Sequence, residues 1–190
     1  MNSIQSKYPL NAARVAITEF GDFGSLPSRQ ARKPIDAVVK MLTGDITYHY
    51  RHYPDPDSND SLLAAFALEA AKRQGQFVPM YDALLTLPAI NCGTLIAQAL
   101  QLGFDQQQFM DDLADDDLHA VIKQDWQAGH RLGVVNTPTL FVDGCRFYGK
   151  LTQSRLVPFI HFHLDRHRRL INPQLGLGQL PIDKRRSVVL

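Results

Sequence analysis

A strand, a helix and a second strand follow one another within residues 14–52, and this order limits the folds open to the chain. Arg14 to Phe20 is a short, largely apolar run, and Ile46 to His52 alternates aromatic or β-branched residues with polar ones. Residues 25–42 between them form a helical pattern whose apolar side chains share one face: Ile35, Val38, Val39 and Leu42. A strand, helix and strand in succession form a right-handed parallel crossover, so the sequence predicts an α/β fold.

The junction between the first strand and this helix is the first candidate site. The free backbone N–H groups at a helix start favour an anion or a thiolate. Here the chain places Ser25 and Ser28, and Ser25 is also suited to cap the helix. Their spacing is that of a Cys-x-x-Cys redox site, but both positions carry hydroxyls in place of thiols.

The rest of the chain divides into a helical region and a hairpin. Residues 57–132 show helical patterns without strand signals, which predicts a compact helical insertion. Asp143-Gly144 is a strong two-residue turn between Thr139 to Val142 and Cys145 to Tyr148, so two antiparallel strands are predicted. A closing helix runs from Gln153 to about Leu170. Residues 1–13 are expected to form an N-terminal arm, and residues 171–190 a polar tail.

Size and charge restrict the partners. A chain of 190 residues that is 45% hydrophobic buries one good core. Twenty basic and nineteen acidic residues leave a net charge of +1, which provides no field for nucleic acid or a membrane surface. No run approaches the roughly 20 apolar residues of a membrane span, so neither membrane insertion nor export is expected and a cytoplasmic location is predicted. Cys92 and Cys145 have no metal or redox spacing and are interpreted as ordinary thiols.

Five short segments in a fixed order carry a family resemblance. They are Glu19-Phe20-Gly21-Asp22-Phe23, Arg51-His52-Tyr53-Pro54, Gln74-Gly75-Gln76-Phe77, Leu102-Gly103-Phe104-Asp105, and the run from Gly133 to Gly144. Together with the element order, they make the chain from about Val15 to Leu164 resemble the DsbA-like thioredoxin family, in the variant found alone or attached to sodium/proton antiporters. The resemblance implies a thioredoxin fold with an inserted all-helical subdomain, with the core at residues 14–56 and 133–170 and the insertion at residues 57–132.

The resemblance also implies a binding groove. Thr137-Pro138 would be a cis peptide facing the helix start, because an X-Pro bond adopts cis at small cost. Backbone groups of Asn136 or Thr137 would then pair with an extended peptide or with glutathione. The predicted binding residues are Ser25, Ser28, Asn136, Thr137 and Pro138. The alternative is that Pro138 only begins an edge strand.

Glu19 matches a position where the family holds a partly buried acid beneath the active-site cysteines. A buried carboxylate near a helix start is able to take or give a proton, so Glu19 is a candidate proton relay. The alternative is an ordinary glutamate at a strand end, exposed or paired with a lysine.

Two functional hypotheses follow. Thiol-disulfide exchange needs an attacking and a resolving thiol, which Ser25 and Ser28 do not supply. The first hypothesis is therefore a redox-inactive module that binds a peptide or protein and needs no cofactor. The second is a glutathione transferase or isomerase of the kappa type, in which Ser25 donates a hydrogen bond to the glutathione sulfur and favours its thiolate.

Two features near the C-terminus give weaker hypotheses. His163 and His167 lie four residues apart on one helix face, as in some metal sites, but no third ligand is evident. They are interpreted as part of a solvated basic face, and no metal is predicted. Four apolar residues of the tail, Leu175, Leu177, Leu180 and Ile182, give the hypothesis that it lies across a second subunit of a homodimer.

Overall fold

The structure, a computed structural model, describes residues 15–171. Its elements, in chain order, are β1 (Val15–Gly21), α1 (Leu26–Met41), β2 (Ile46–His52), α2 (Asn59–Arg73), α3 (Phe77–Leu84), α4 (Cys92–Gln101), α5 (Gln106–Leu113), α6 (Asp116–Arg131), β3 (Thr139–Val142), β4 (Cys145–Arg146) and α7 (Gln153–Ile171). The predicted arm at residues 1–13 and the predicted tail from residue 172 onward lie outside the described residues. Between residues 15 and 171, no helix combines the length and the apolar character needed to cross a bilayer.

The four described strands form one mixed sheet in the order β2-β1-β3-β4. β1 and β2 are parallel, while β3 is antiparallel to both β1 and β4. The helices α2 to α6 lie between β2 and β3 in the chain, so the predicted α/β fold with a helical insertion is confirmed. Asp143 and Gly144 turn the β3–β4 hairpin with φ of 48° and 76°, and β4 ends two residues before the predicted Tyr148.

The alternation of side chains along β1 assigns the two faces of the sheet. Val15 and Ile17 belong to the main core, which also includes buried side chains of α1 and α7. Phe20 belongs instead to a smaller cluster with Val134 and Phe141, against which Ala128 of α6 packs. Helices therefore cover both faces, and the carboxyl ends of β1 and β2 lie where α1, α2 and α6 approach one another.

A buried ionic network joins the end of β2 to the helical insertion. His52 Nε2 lies 3.0 Å from Glu69 Oε1 of α2, and Lys72 Nζ lies 3.0 Å from Glu69 Oε2. Asp125 of α6 accepts a hydrogen bond from the backbone N–H of His52 and pairs with Arg51 at 3.0 Å. The network holds α2 and α6 against the strand whose following loop contributes to the candidate site.

The acid sensitivity of this network is testable through Glu69. Burial favours the protonated form of Glu69, but the hydrogen bond and charge of His52, helped by Lys72, lower its pKa to about 2. Because the folded pKa is below the unfolded value, the stabilisation is complete above pH 4.5 and is lost as the pH falls towards 2. We expect Glu69→Gln to lower the free energy of unfolding at pH 7 by roughly 2–3 kcal/mol, and the difference from wild type to disappear near pH 2.

Urea unfolding at a series of pH values measures this difference. Asp60→Asn is the matched control, because Asp60 is an exposed acid on the same helix, and it should change the free energy by less than about 1 kcal/mol. A deficit of Glu69→Gln that stays constant from pH 7 to pH 2 would contradict the assigned role of the carboxylate.

Candidate functional site

An open groove of about 660 Å³ lies at the N-terminal end of α1. Its walls come from the loop between β1 and α1, the loop after β2, one side of α6 and the loop before β3. The lining residues are Asp22, Gly24, Ser25, Leu26, Pro27, Tyr53, Pro54, Asp55, Pro56, Ser58, Ser61, Trp126, Val135, Asn136 and Thr137. The groove therefore brings together Ser25, Asn136 and Thr137, three of the predicted binding residues.

The two serines at the start of α1 occupy different environments. Ser25 is the N-cap residue, but its hydroxyl makes no hydrogen bond within the described part of the chain and lines the groove. Ser28 does not line the groove, because the first helical turn carries it to the inner face, where it is 3% exposed, and its binding role stays a prediction. Its Oγ accepts a long hydrogen bond of 3.4 Å from the backbone N–H of Asp22.

The loop opposite Ser25 is held from two sides. The hydroxyl of Tyr53 donates to the carbonyl of Val134 at 2.8 Å, and the Arg146 guanidinium donates to the carbonyl of Gly133 at 2.8 Å. The Thr137-Pro138 peptide bond that follows is cis. Pro138 is half-buried and directly precedes β3, so the loop enters the sheet immediately after the groove.

The backbone of this loop has free hydrogen-bonding groups. Among residues 15–171, the backbone N–H groups of Val135, Asn136 and Thr137 donate no hydrogen bond. The carbonyl of Asn136 accepts from the Thr139 hydroxyl at 2.7 Å, but those of Val135 and Thr137 accept none in the same part of the chain. Val135 is also 81% exposed. An unpaired backbone segment on the wall of a groove is a template for an extended peptide.

Aromatic rings form the wall on the side of α6. Trp126 is half-exposed and stacks on Tyr53 at 5.6 Å and on His130 at 5.2 Å. Gly129, one turn along α6 from Asp125, leaves room for the Tyr53 ring, which a Cβ at that position would approach to 2.6 Å. Tyr53 belongs to the motif Arg51-His52-Tyr53-Pro54. Its partner ring on α6 lies 73 residues later in the chain, so the sequence did not predict that the two rings stack.

Asp22 fixes the loop between β1 and α1, and sequence reasoning gave it no role. Its carboxylate accepts from the backbone N–H of Gly24 and from the hydroxyl of Ser61 on α2, both at 2.8 Å, and at 3.4 Å from the backbone N–H of Asp55. Burial raises the pKa of Asp22, while these hydrogen bonds oppose the rise. The Asp22 side chain therefore links the loop between β1 and α1 to α2 and to the loop after β2.

Glu19 lies beneath α1 in a fully buried polar cluster. Its carboxylate pairs with Arg32 of α1 and accepts a hydrogen bond from the hydroxyl of Tyr48. Arg32 is 2% exposed, pairs with Asp36 at 2.7 Å, and has its guanidinium 4.9 Å from the Tyr81 ring centroid. The alternative of an exposed or lysine-paired glutamate is therefore wrong, because the partner is a buried arginine.

The position of Glu19 relative to the groove bears on the predicted proton relay. Burial raises the pKa of Glu19, and the Arg32 charge and the Tyr48 hydrogen bond oppose this. Glu19 Oε1 has no hydrogen-bond partner within the described residues, and the side chain lines a small void together with Ser28. Glu19 does not line the groove itself, so its relay role stays a prediction.

The remaining predicted residues lie away from the groove. Cys92 and Cys145 are exposed free thiols, and neither lines the groove. The hairpin places Cys145 opposite Val142, so it lies about four residues, ~13 Å, along the sheet from Pro138.

The two histidines of α7 approach the hairpin turn. Asp143 Oδ2 lies 2.9 Å from His167 Nε2 and 3.5 Å from His163 Nδ1. His163 is 2% exposed, so its assignment to a solvated face is wrong. Within the described range, no group of three or more His, Cys, Asp or Glu side chains has the arrangement of a metal site.

A groove at a helix start that faces a cis X-Pro loop, on a four-stranded mixed sheet with helices on both faces, defines a thioredoxin-like fold. The sequence profile described as thioredoxin matches residues 10–161. The chain belongs to this thioredoxin family.

Solved structures agree with this assignment. A thioredoxin-like oxidoreductase from Silicibacter pomeroyi is 26% identical, with a TM-score of 0.72 over 83% of this chain and 88% of that one. BdbD from Bacillus subtilis has a TM-score of 0.74 at 18% identity, covering 83% of this chain and 91% of its own. The thiol-disulfide exchange protein alpha-DsbA2 from Wolbachia pipientis has a TM-score of 0.69 at 20% identity, with 84% of each chain covered. The last two likenesses establish the fold alone.

Curated relatives carry a similar segment within much longer chains. Na(+)/H(+) antiporter NhaA 3 of Salinispora tropica is 34% identical over 139 residues, which are 72% of this chain and 21% of that protein. Na(+)/H(+) antiporter NhaA of Herminiimonas arsenicoxydans is 31% identical over 138 residues, covering 72% of this chain and 22% of that protein. The chain spans about a fifth of the length of these relatives.

Proposed function

We propose that this chain is a DsbA-like module in which Ser25 and Ser28 stand in the places of the two redox cysteines, and that it binds an extended polypeptide segment in its groove without redox chemistry. The observation that carries the proposal is that the backbone N–H groups of residues 135–137 are unpaired in the described structure, and that these residues line the same groove as the Ser25 hydroxyl.

The chemistry of the groove favours a polypeptide. An extended peptide satisfies a free backbone edge by donating and accepting main-chain hydrogen bonds, which requires no particular sequence. The hydroxyl of Ser25 adds one further donor and acceptor at the helix start. A hydroxyl does not form the mixed disulfide on which thiol exchange depends, and the two free thiols, Cys92 and Cys145, lie outside the groove.

The proposed partner is a protein or peptide. The relatives that contain this segment are named as Na(+)/H(+) antiporters, so an extended segment of such an antiporter is one candidate source of the bound peptide.

Two further predictions concern location and assembly. The cytoplasmic location of the chain and the homodimer formed through its tail both stay predictions.

Blocking the groove tests the proposal. Dodecapeptides selected against the protein from a random library without tryptophan serve as the probe, and the emission of Trp126, the single tryptophan of the chain, reports binding. We expect Ser25→Tyr to weaken binding by at least about tenfold, because the ring fills the groove opposite the free backbone. Since the Ser25 side chain makes no hydrogen bond in the described structure, the substitution removes no structural contact of the hydroxyl.

Ser154→Tyr is the matched control, since Ser154 is exposed in the first turn of α7 and does not line the groove. It should bind the selected peptides as wild type does. Equal affinity of Ser25→Tyr and wild type, or a library that yields no binding peptide, would show that the groove is not a peptide site.

Glutathione is the second candidate ligand, and the free Ser25 hydroxyl at a helix N-terminus favours it specifically. In this alternative the hydroxyl donates to the glutathione sulfur and stabilises its thiolate, and the chain is a transferase or isomerase. Calorimetric titration with glutathione discriminates between the two. Saturable binding that Ser25→Ala weakens would favour the enzyme, and no heat at millimolar glutathione would remove it.

A further inference from the structure

A second concave surface, which we call the insertion pocket, lies between α2 and α6 next to the groove. It has a volume of about 360 Å³, which is within the range of ligand pockets. Its lining residues are Pro54, Pro56, Leu62, Phe66, His119, Ile122, Lys123 and Trp126. Six of these side chains are apolar, so the pocket suits an apolar group.

The insertion pocket is continuous with the groove. Pro54, Pro56 and Trp126 line both. The Trp126 ring is fixed by its stacking on Tyr53 and His130, so it forms a shared wall between the two. A chain that pairs with residues 135–137 and continues past Trp126 therefore reaches the insertion pocket without leaving the surface.

The polar residues of the insertion pocket give it a charge. Lys123 is exposed and forms no ion pair within residues 15–171, so its ammonium is free to receive a carboxylate. His119 stacks on Phe66 with ring centroids 4.2 Å apart and contributes a flat face to the wall. An apolar pocket with a free cation at its edge matches a large apolar side chain that has a carboxylate close by.

We propose that the insertion pocket receives a large apolar side chain of the same extended polypeptide that occupies the groove, and that Lys123 binds a carboxylate adjacent to that side chain. This inference rests on the proposed function. It defines the partner further, as a segment in which Phe, Leu or a similar residue is followed or preceded closely by Asp or Glu. The groove supplies main-chain affinity, and the insertion pocket supplies selectivity for sequence.

A peptide array tests this selectivity with the full chain as the labelled ligand. Its decapeptides have a Gly, Ser and Thr background, with one Phe or Leu and one Asp or Lys placed at all relative positions. We expect wild type to bind peptides with Phe or Leu at least about tenfold better than the background alone. A neighbouring Asp should improve binding about two- to fivefold over a neighbouring Lys.

Two variants separate the apolar and ionic parts of the insertion pocket. Lys123→Glu should reverse the preference from Asp to Lys and keep the requirement for Phe or Leu. Leu62→Asn should abolish the requirement for Phe or Leu, and because asparagine is uncharged it leaves Lys123 available for the peptide carboxylate. Lys33→Glu is the matched control, because Lys33 is exposed on α1 and lines neither surface, and its array should equal that of wild type.

The outcomes distinguish this inference from the proposed function. If wild type binds the array and Ser25→Tyr does not, but neither Lys123→Glu nor Leu62→Asn changes the preference, the insertion pocket is not part of the site and the groove proposal stands. If wild type binds no peptide, both are overturned. Reversal by Lys123→Glu with no reversal by Lys33→Glu supports the assignment of the carboxylate to Lys123.

Discussion

Substituting Ser25→Cys and Ser28→Cys together is expected to give a chain that forms an internal disulfide and turns over insulin, an activity that the proposed function denies to the wild type. The two positions are three residues apart at a helix start, which is the spacing of a Cys-x-x-Cys site and is within reach of the Cα separation of about 4.4–6.8 Å that a disulfide spans. Thiol-disulfide exchange requires one accessible thiol that attacks and a second thiol that resolves the mixed disulfide, and the exposures of the two positions fit these roles. Position 25 lines the groove and is accessible to a substrate, while position 28 is buried beneath it.

The helix start gives the introduced thiol at position 25 its reactivity. Backbone N–H groups and the helix dipole lower the pKa of a thiol at that place, so a larger fraction is thiolate at neutral pH. The thiol at position 28 then resolves the mixed disulfide and releases the reduced substrate. The expected result is insulin reduction with dithiothreitol as the final reductant, measured by turbidity, at a rate clearly above that of the wild-type chain.

The design needs a background free of other thiols. Cys92 and Cys145 are exposed, so Cys92→Ser and Cys145→Ser are introduced first. In that background Ser25→Cys alone is the control, because it should form a mixed disulfide with glutathione but give no turnover. A folded double variant that does not form the disulfide would remove the geometric basis for placing Ser25 and Ser28 at the redox positions. Turnover by the wild-type chain would contradict redox inactivity.

The fold was largely predictable because its signals are local. The strand, helix and strand of residues 15–52 and the Asp143-Gly144 turn are specified by periodicity and turn chemistry within short windows. Among the groove residues, Ser25 was predicted from its place at a helix start, and Asn136 and Thr137 were predicted from the family resemblance of the run from Gly133 to Gly144. The contacts that were not predicted join distant segments, as for Trp126 on Tyr53 or Asp22 with Ser61.

Two features that were not predicted, the inward position of Ser28 and the pairing of Glu19 with Arg32, had signals in the sequence. Ser28, Arg32, Ile35 and Val39 follow one another at helical spacing, so the apolar face of α1 extends back to Ser28 and carries it inward. Glu19 is in phase with Val15 and Ile17, which places a carboxylate on the core side of β1. Two charged residues on two inward faces imply a buried pair. The pairing geometry, however, is fixed only when α1 packs on the sheet.

That pair gives the largest expected effect on stability. Arg32→Met should lower the free energy of unfolding by roughly 3–5 kcal/mol, because it leaves the Glu19 carboxylate buried without its cation. Methionine fills much of the space taken by the aliphatic part of the arginine side chain. The loss of stability therefore comes mainly from removing the positive charge. Lys33→Met, an exposed substitution at the next position of α1, should change the free energy by no more than about 0.5 kcal/mol.

The pH dependence distinguishes an unpaired carboxylate from a simple packing defect. Without Arg32, burial is no longer opposed by its charge, so the pKa of Glu19 in the folded Arg32→Met chain rises further above its unfolded value of 4.5. A group whose folded pKa is raised stabilises the fold only where it is protonated. The deficit of Arg32→Met should therefore be greatest at pH 7 and shrink as the pH falls towards 4.5. Guanidinium unfolding at pH 7 and pH 5 measures this change.

A second substitution completes the test by removing the unpaired Glu19 carboxylate. Glu19→Leu in combination with Arg32→Met should recover most of the lost stability at pH 7, because an apolar pair replaces the buried ions. The double variant should also lose the pH dependence of the single one. If instead the double variant is less stable than Arg32→Met alone, the two side chains contribute through packing and through Tyr48 and Asp36, and the ion pair is not what holds α1 to the sheet.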